Sequence, residues 1–317
     1  MKKYLIIGGL GFVGKNLARH LLGQNDFVTI FDLRKPNKNE LSLLNHDNIS
    51  FIKGDVLNES QLDEAFKGGF DGVYHLASFV GIKNYISNPV GVISTTIEGT
   101  KIVAEKCIQH NCHLFFTSTS EVLGRNTDVP WKEDADRVYG STMKERWSYG
   151  SSKGVAEQIV IGLSTTRGLS YTISRFFNIY GEHQSPIFVV PKTIHNCLNS
   201  LSPLIYDSGA QTRCFTYVQD AVIAVDLLMK KKSVGIFHIG SNFEHSMQEV
   251  VDNVIRLVDV ELIPEKVDTE ELYSGKYEDI DRRVPDVTKI YDEIGWKATT
   301  SLIEGLSNTI NWARESD

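Results

Sequence analysis

Ile6-Ile7-Gly8-Gly9-Leu10-Gly11-Phe12-Val13-Gly14 stands near the start of the chain, and Asp32 follows eighteen residues beyond Gly14, closing a second apolar run, Phe27-Val28-Thr29-Ile30-Phe31. Residues 4–7 read as a buried strand and residues 15–22 as a helix. Between them the glycines allow a tight turn and close backbone approach to a pyrophosphate, whose charge the helix N-terminus receives. Gly8, Gly11 and Gly14 have separate jobs in such a turn. A carboxylate at Asp32 accepts the ribose hydroxyls of NAD and repels the extra phosphate of NADP, whereas Arg34, two residues on, is a signal in the other direction. NAD is the expected cofactor.

Working outward, the 317 residues are enough for one large α/β unit and a smaller lobe. The formal charge of -7, with no basic run beyond Lys230-Lys231-Lys232, points away from nucleic acid and anionic membranes. Met1-Lys2-Lys3 leads into an apolar run too short for a signal peptide, and no run reaches the length of a membrane span. A cytoplasmic chain is expected. Cys107, Cys112, Cys197 and Cys214 have neither CxxC spacing nor a partner histidine pattern, so neither a disulfide framework nor a metal site is expected. His75 and His238 lie in apolar runs and read as core histidines.

Strand-like runs at residues 48–52, 72–77, 113–118 and 169–174 alternate with helical patterns at 59–66, 90–110 and 151–163. That alternation predicts a doubly wound α/β fold, a Rossmann-type parallel sheet covered on both faces. Ligands of such sheets bind outside the carboxyl ends of the strands. Beyond residue 175 the alternation weakens. Residues 1–175 are therefore expected to form the dinucleotide domain and 176–317 a smaller C-terminal α/β lobe, with 218–240 able to return to the first.

Tyr149 and Lys153 are one helical turn apart, so both side chains leave from one face. An ammonium beside the phenol, near a positive nicotinamide ring, would lower the phenol's pKa and make it a base for an alcohol. Lys153 can also reach the nicotinamide ribose. The run Thr117-Ser118-Thr119-Ser120-Glu121-Val122 ends a strand at the same sheet edge. There Thr119 would share a hydrogen bond with the substrate hydroxyl and Tyr149, while Ser120 and Glu121 face the next sugar carbon.

These segments, with Gly54-Asp55-Val56, His75-Leu76-Ala77-Ser78, Arg175-Phe176-Phe177-Asn178-Ile179-Tyr180-Gly181 and Gln211-Thr212-Arg213-Cys214-Phe215-Thr216-Tyr217-Val218, resemble the extended short-chain dehydrogenase/reductase family of nucleotide-sugar enzymes. The resemblance implies that Phe12, Val13, Asp55, Val56, Leu76, Ala77 and Ser78 surround the cofactor and that Asn178 and Arg213 hold a substrate diphosphate. It also implies a homodimer, built from the helix at 90–110 and the helix after Tyr149. Within the family, Ser118-Thr119-Ser120-Glu121-Val122, Asn84-Tyr85-Ile86-Ser87-Asn88-Pro89, Arg146-Trp147-Ser148-Tyr149 and Tyr277-Glu278-Asp279-Ile280-Asp281-Arg282-Arg283-Val284-Pro285-Asp286 resemble UDP-glucuronate decarboxylases. That similarity makes Thr119, Ser120, Glu121 and Arg283 the decarboxylase set, with Asn84 and Tyr85 on the substrate. Residues 183–188 lack the arginine usual in those enzymes.

The expected enzyme thus oxidises C4 of a UDP-hexuronic acid, which turns the C6 carboxylate into a β-keto acid that loses CO2. A nucleotide-sugar 4-epimerase and a 4,6-dehydratase are the alternatives that share the first step. A non-catalytic NAD-binding protein would leave Tyr149, Lys153 and Thr119 unexplained.

Overall fold

In β1 (Lys3–Ile7) the last four residues are buried on both sides, the pattern of a strand with helices over each face of its sheet. The computed structural model describes residues 1–275 and 278–316. After β1 come α1 (Phe12–Gly23), β2 (Phe27–Asp32), α2 (Lys38–Leu44), β3 (Ile49–Lys53), α3 (Glu59–Phe66) and β4 (Gly72–His75). Then follow α4 (Ile82–Ser87), α5 (Pro89–Gln109), β5 (His113–Thr119), α6 (Trp147–Arg167) and β6 (Tyr171–Phe176).

These strands and Gly235–Ile239 form one parallel seven-stranded sheet, ordered Gly235–Ile239, β6, β5, β4, β1, β2, β3. Strand order reverses between β1 and β4, so the loops leaving their carboxyl ends diverge and open a crevice. Over one face, Leu62, Val103 and Val160 of α3, α5 and α6 pack on Leu5, Val73 and Leu114. Over the other, Leu17 and Leu21 of α1 join Val222 and Leu228 of the helix Val218–Lys231 against Ile6, Ile30 and Tyr74. Each such aliphatic side chain contributes about 1.5–3 kcal/mol by leaving water.

The smaller lobe has a three-stranded sheet in which Thr212–Cys214 lies between Glu244–Ser246 and Arg282–Arg283. Its register pairs Arg213 with Arg283. The helices Val189–Leu198, Met247–Val258 and Leu302–Ser316 pack beside it. Met247–Val258 begins at a capping box, Ser246 with Glu249, that satisfies two of its end amides. Strand Gly235–Ile239 returns the chain to the large sheet beside β6.

His75 and His238 are buried, and burial pushes both imidazoles down to about 3, so they are neutral core residues. All four cysteines are buried. Among the described residues no helix is long and apolar enough to cross a membrane.

Candidate active site

The glycine turn works through close contacts. Gly8 has φ +85°, and a Cβ there would meet the Ala77 amide nitrogen at 2.6 Å. At Gly14 a Cβ would come within 2.7 Å of the Gly8 carbonyl oxygen, so the helix could not sit so near the strand. α1 starts immediately after Gly11 with no side-chain cap, which leaves its first-turn amides open to an anion.

The crevice above is a cavity of about 300 Å3 whose wall includes Gly8, Gly11, Asp32, Val56, Leu76, Ala77 and Ser78. This cradle fits an extended dinucleotide: bare backbone where a pyrophosphate lies and a carboxylate where a ribose lies. Asp32 is aimed by the Leu10 and Arg34 amides, at 3.0 and 3.2 Å. Phe12 and Val13 turn their side chains into the core behind the turn and can offer the cavity only backbone. Asp55 sits off the wall, because its carboxylate accepts from the Leu57 amide at 2.9 Å while Gly54 and Val56 line the space.

Tyr149 and Lys153 both lie in α6, which begins at Trp147, four residues earlier than the apolar pattern predicts. Two turn hydrogen bonds lead the chain in, Trp147 N to Lys144 O and Ser148 N to Glu145 O. Tyr149 is 7% exposed and lies between two cavities, with the Ser78 hydroxyl on the cofactor side and the Tyr85 ring on the other. The Tyr85 and Tyr149 rings are stacked, 4.7 Å between centroids and 7° from parallel.

Burial dominates the electrostatics of the pair. Lys153 donates to the Thr117 carbonyl at 2.8 Å and lies over the Phe116 ring, and burial brings its ammonium down to about 7. Tyr149 is pushed above the usual tyrosine value, by burial first and the Glu121 charge second, with Ser78 and Thr119 pulling the other way. In the protein alone desolvation wins, so Lys153 by itself does not make the phenol acidic. The positive charge that would offset it arrives with the oxidised nicotinamide.

Thr119 ends β5 and caps a one-turn 3-10 helix, Ser120–Leu123, by accepting from the Glu121 amide at 3.2 Å. Three residues per turn send consecutive side chains out on different faces. Glu121 therefore reaches the second cavity, while Ser120, expected beside it on the sugar, is buried in the turn and off the wall.

That second cavity, about 360 Å3, has Asn84, Tyr85, Glu121, Asn178, Arg213 and Arg283 on its wall. The sequence reading places these six on the substrate or its sugar, and the fold brings them together. Tyr206, Phe215 and Tyr273 add an aromatic portion to the same wall. Ile187 and Phe188 stand in the loop that lacks an arginine.

Two participants were missed. Glu121 Oε2 lies 2.5 Å from Arg146 Nη1, and its Oε1 lies 3.2 Å from Arg283 Nη1. Asp279 Oδ1 meets Arg213 Nη2 at 2.7 Å and Arg283 Nη2 at 3.8 Å. Burial raises the Glu121 pKa, but the two guanidinium groups outweigh it and hold the carboxyl below its usual range. Arg146, Arg213 and Arg283 thus meet Glu121 and Asp279 in one ion-pair cluster beside the second cavity. Arg146 stood in the sequence three residues before Tyr149, and a charge at the head of that helix was the available signal. Tyr277, part of the resemblance, lies outside the described residues.

Residues 5–309 match the family described as GDP-mannose 4,6 dehydratase. The chain is 37% identical to a UDP-N-acetyl-alpha-D-glucosaminuronate decarboxylase of Bacillus cytotoxicus, covering 99% of this chain and 98% of that one. It is 29% identical to UDP-glucuronic acid decarboxylase 1 of Arabidopsis thaliana, over 98% of this chain and 69% of that one. The solved UDP-N-acetylglucosamine 4-epimerase from Methanobrevibacter ruminantium M1, in complex with UDP-N-acetylmuramic acid, superposes with a TM-score of 0.89 at 25% identity, covering 100% of this chain and 99% of that one. A dTDP-glucose 4,6-dehydratase from Streptomyces venezuelae with NAD and TYD bound gives 0.89 at 25%, covering 99% and 97%.

Proposed function

From its membership of the GDP-mannose 4,6-dehydratase family, to which this chain belongs, we propose that it is an NAD-dependent decarboxylase of a UDP-hexuronic acid. What carries the reading is Glu121, ion-paired between Arg146 and Arg283 on the wall of the substrate cavity. A 4,6-dehydratase asks the glutamate at this position to take the C5 proton, and a carboxylate held low by two guanidinium groups is a poor base. A 4-epimerase acting on a neutral sugar has no carboxylate for these arginines to recognise. A UDP-hexuronic acid brings a diphosphate and a carboxylate, and Arg213 and Arg283 on the cavity wall suit both.

The reaction then follows from the residues. NAD held in the cradle would supply reversible hydride transfer at the sugar C4. Tyr149 accepts the C4 hydroxyl proton, Thr119 relays between that hydroxyl and the phenol, and Lys153 holds the nicotinamide ribose. With C4 a ketone, the C6 carboxylate is β to a carbonyl and leaves as CO2, its electron pair passing to a C4–C5 enolate that takes a proton at C5 to give the 4-ketopentose. Arg283, with Glu121 holding its guanidinium, positions that carboxylate, and Arg213 and Asn178 hold the diphosphate. Residues 1–175 with 218–240 serve the cofactor, and the remainder of 176–317 serves the nucleotide sugar.

Incubation with UDP-glucuronate and with UDP-N-acetylglucosaminuronate tests this. The expected result is CO2 release and a nucleotide pentose from at least one of them. A mass-neutral product from both substrates would overturn it in favour of epimerisation.

The same proposal includes a homodimer through α5 and α6, supported by Val90 and Ile93 on the first and Val155 and Ile161 on the second, all exposed apolar side chains. Light scattering giving a monomer's mass would count against it. A cytoplasmic location is proposed with it, on the four cysteines left as free thiols.

A further inference from the structure

Arg34 is on the wall of the cofactor cavity, two residues beyond Asp32. A free guanidinium there would attract a 2′-phosphate and work against the repulsion from Asp32. The guanidinium is taken up elsewhere. Nη1 donates to Glu40 Oε2 at 2.6 Å, and Nη2 donates to Glu40 Oε1 at 2.6 Å and to the Leu10 carbonyl at 2.5 Å.

Glu40 is itself fixed. Its side chain is 4% exposed and closes a capping box with Asn37 at the head of α2. It also accepts from Lys15 Nζ at 3.1 Å. A bidentate arginine–carboxylate pair on an anchored acceptor is a directional lock, unlike a loose surface pair. Asp32 keeps its own orientation through two backbone amides, so the lock leaves its carboxylate facing the ribose.

We propose that Glu40 is a second determinant of cofactor choice: by occupying the Arg34 guanidinium it denies that group to a 2′-phosphate and keeps the chain on NAD. This requires the dinucleotide site but not the decarboxylation. The residue sits in a helix beyond the glycine turn and the ribose acid.

Calorimetric binding of NAD and NADP to the full chain tests it with Glu40→Gln, Arg34→Ala and the double variant. Glutamine preserves the capping box, so α2 is kept. Release of one charge-assisted arginine–phosphate contact is worth about tenfold in affinity. The expected result for Glu40→Gln is an NADP Kd about tenfold lower with the NAD Kd within about threefold, the gain disappearing in the double variant. An unchanged NADP Kd with NAD binding retained overturns the proposal, as does a gain that survives in the double variant.

Arg34→Ala alone decides the matter even if Glu40→Gln folds poorly. A guanidinium already occupied contributes nothing to NADP, so its loss leaves NADP binding as it was, and a severalfold weakening overturns the proposal. Absence of NAD binding in the wild type would instead defeat the cofactor reading itself.

Discussion

The ring of Tyr85 lies flat on the ring of Tyr149, 4.7 Å away and within 7° of parallel. α4, which carries Tyr85, thereby sets the plane of the proposed base from the substrate side. Stacked pairs contribute about 0.5–1.5 kcal/mol beyond burial, and a misplaced catalytic group costs rate steeply. Tyr85→Ala is expected to lower kcat by about tenfold or more with little change in NAD affinity, whereas Tyr85→Phe keeps the stack and most of the rate. Steady-state kinetics on both variants checks this, and equal losses would assign the effect to the Tyr85 hydroxyl.

Tyr149→Phe removes the proton acceptor and leaves the stacking surface. Loss of a positioned general base costs about 10^2 to 10^4 in rate. Substrate-driven reduction of bound cofactor, followed by absorbance, is expected to vanish with NAD binding intact. Turnover at the wild-type rate would remove Tyr149 from the mechanism.

Arg146 and Arg283 together keep Glu121 ionised against its burial. Its folded pKa is depressed, so the stability it contributes is present above the usual carboxylate value and is lost as pH falls through the lowered one. Arg146→Met leaves Arg283 as the remaining partner and raises that carboxyl. The expected outcome is a loss of about 3–5 kcal/mol in stability and an acid limb of kcat/KM moved to higher pH, with Arg146→Lys recovering part of both. Denaturant unfolding and a pH–rate profile are the measurements, and an unmoved acid limb would limit Arg146 to structure.

Lys153 titrates near 7 because the fold buries its ammonium. Between that value and the usual 10.5 the unfolded chain carries a proton that the folded chain lacks, so stability rises with pH across this window. Below it the whole cost of burying the charge is present. Lys153→Met is therefore expected to be inactive yet to melt several degrees higher than wild type at about pH 6, the gap closing towards about pH 10. Thermal melts across pH check it, and a gap that ignores pH would reflect packing alone.

Glu157 and Arg175 form a buried pair, at 2.7 and 3.0 Å, that ties α6 to β6, and Ser118 of β5 donates to the same carboxylate. Removing one partner strands the other charge in the interior. Arg175→Met is expected to cost about 3–5 kcal/mol in denaturant unfolding. A loss below about 1 kcal/mol would mean that water reaches the pair.

How much of this could be read beforehand depended on distance along the chain. The glycine turn, the acid closing β2 and the Tyr149–Lys153 turn are local patterns whose geometry follows from the period of a helix or strand, and the strand–helix alternation carries the parallel sheet with it. Helix α3 begins and ends where apolar spacing places it. Ser120 lies buried and off the cavity wall, since adjacency along the chain does not give direction once a strand runs into a 3-10 turn. The start of α6 was set too late because Trp147, Ser148 and Tyr149 carry no apolar period.

By itself, then, the order of residues determined the doubly wound sheet, the dinucleotide cradle and the placing of Tyr149 and Lys153 one turn apart on a helix, since each is written within a few dozen consecutive positions. Tertiary structure alone decided which charges meet. Arg283 reaches Glu121 across 162 positions and lies in register with Arg213 across 70, and the Arg34 guanidinium, at the cofactor cavity's wall, is paired with Glu40. The protonation of Tyr149, Lys153 and Glu121 was decided there too, because desolvation and Coulomb attraction depend on burial and separation in space, which residue order does not state.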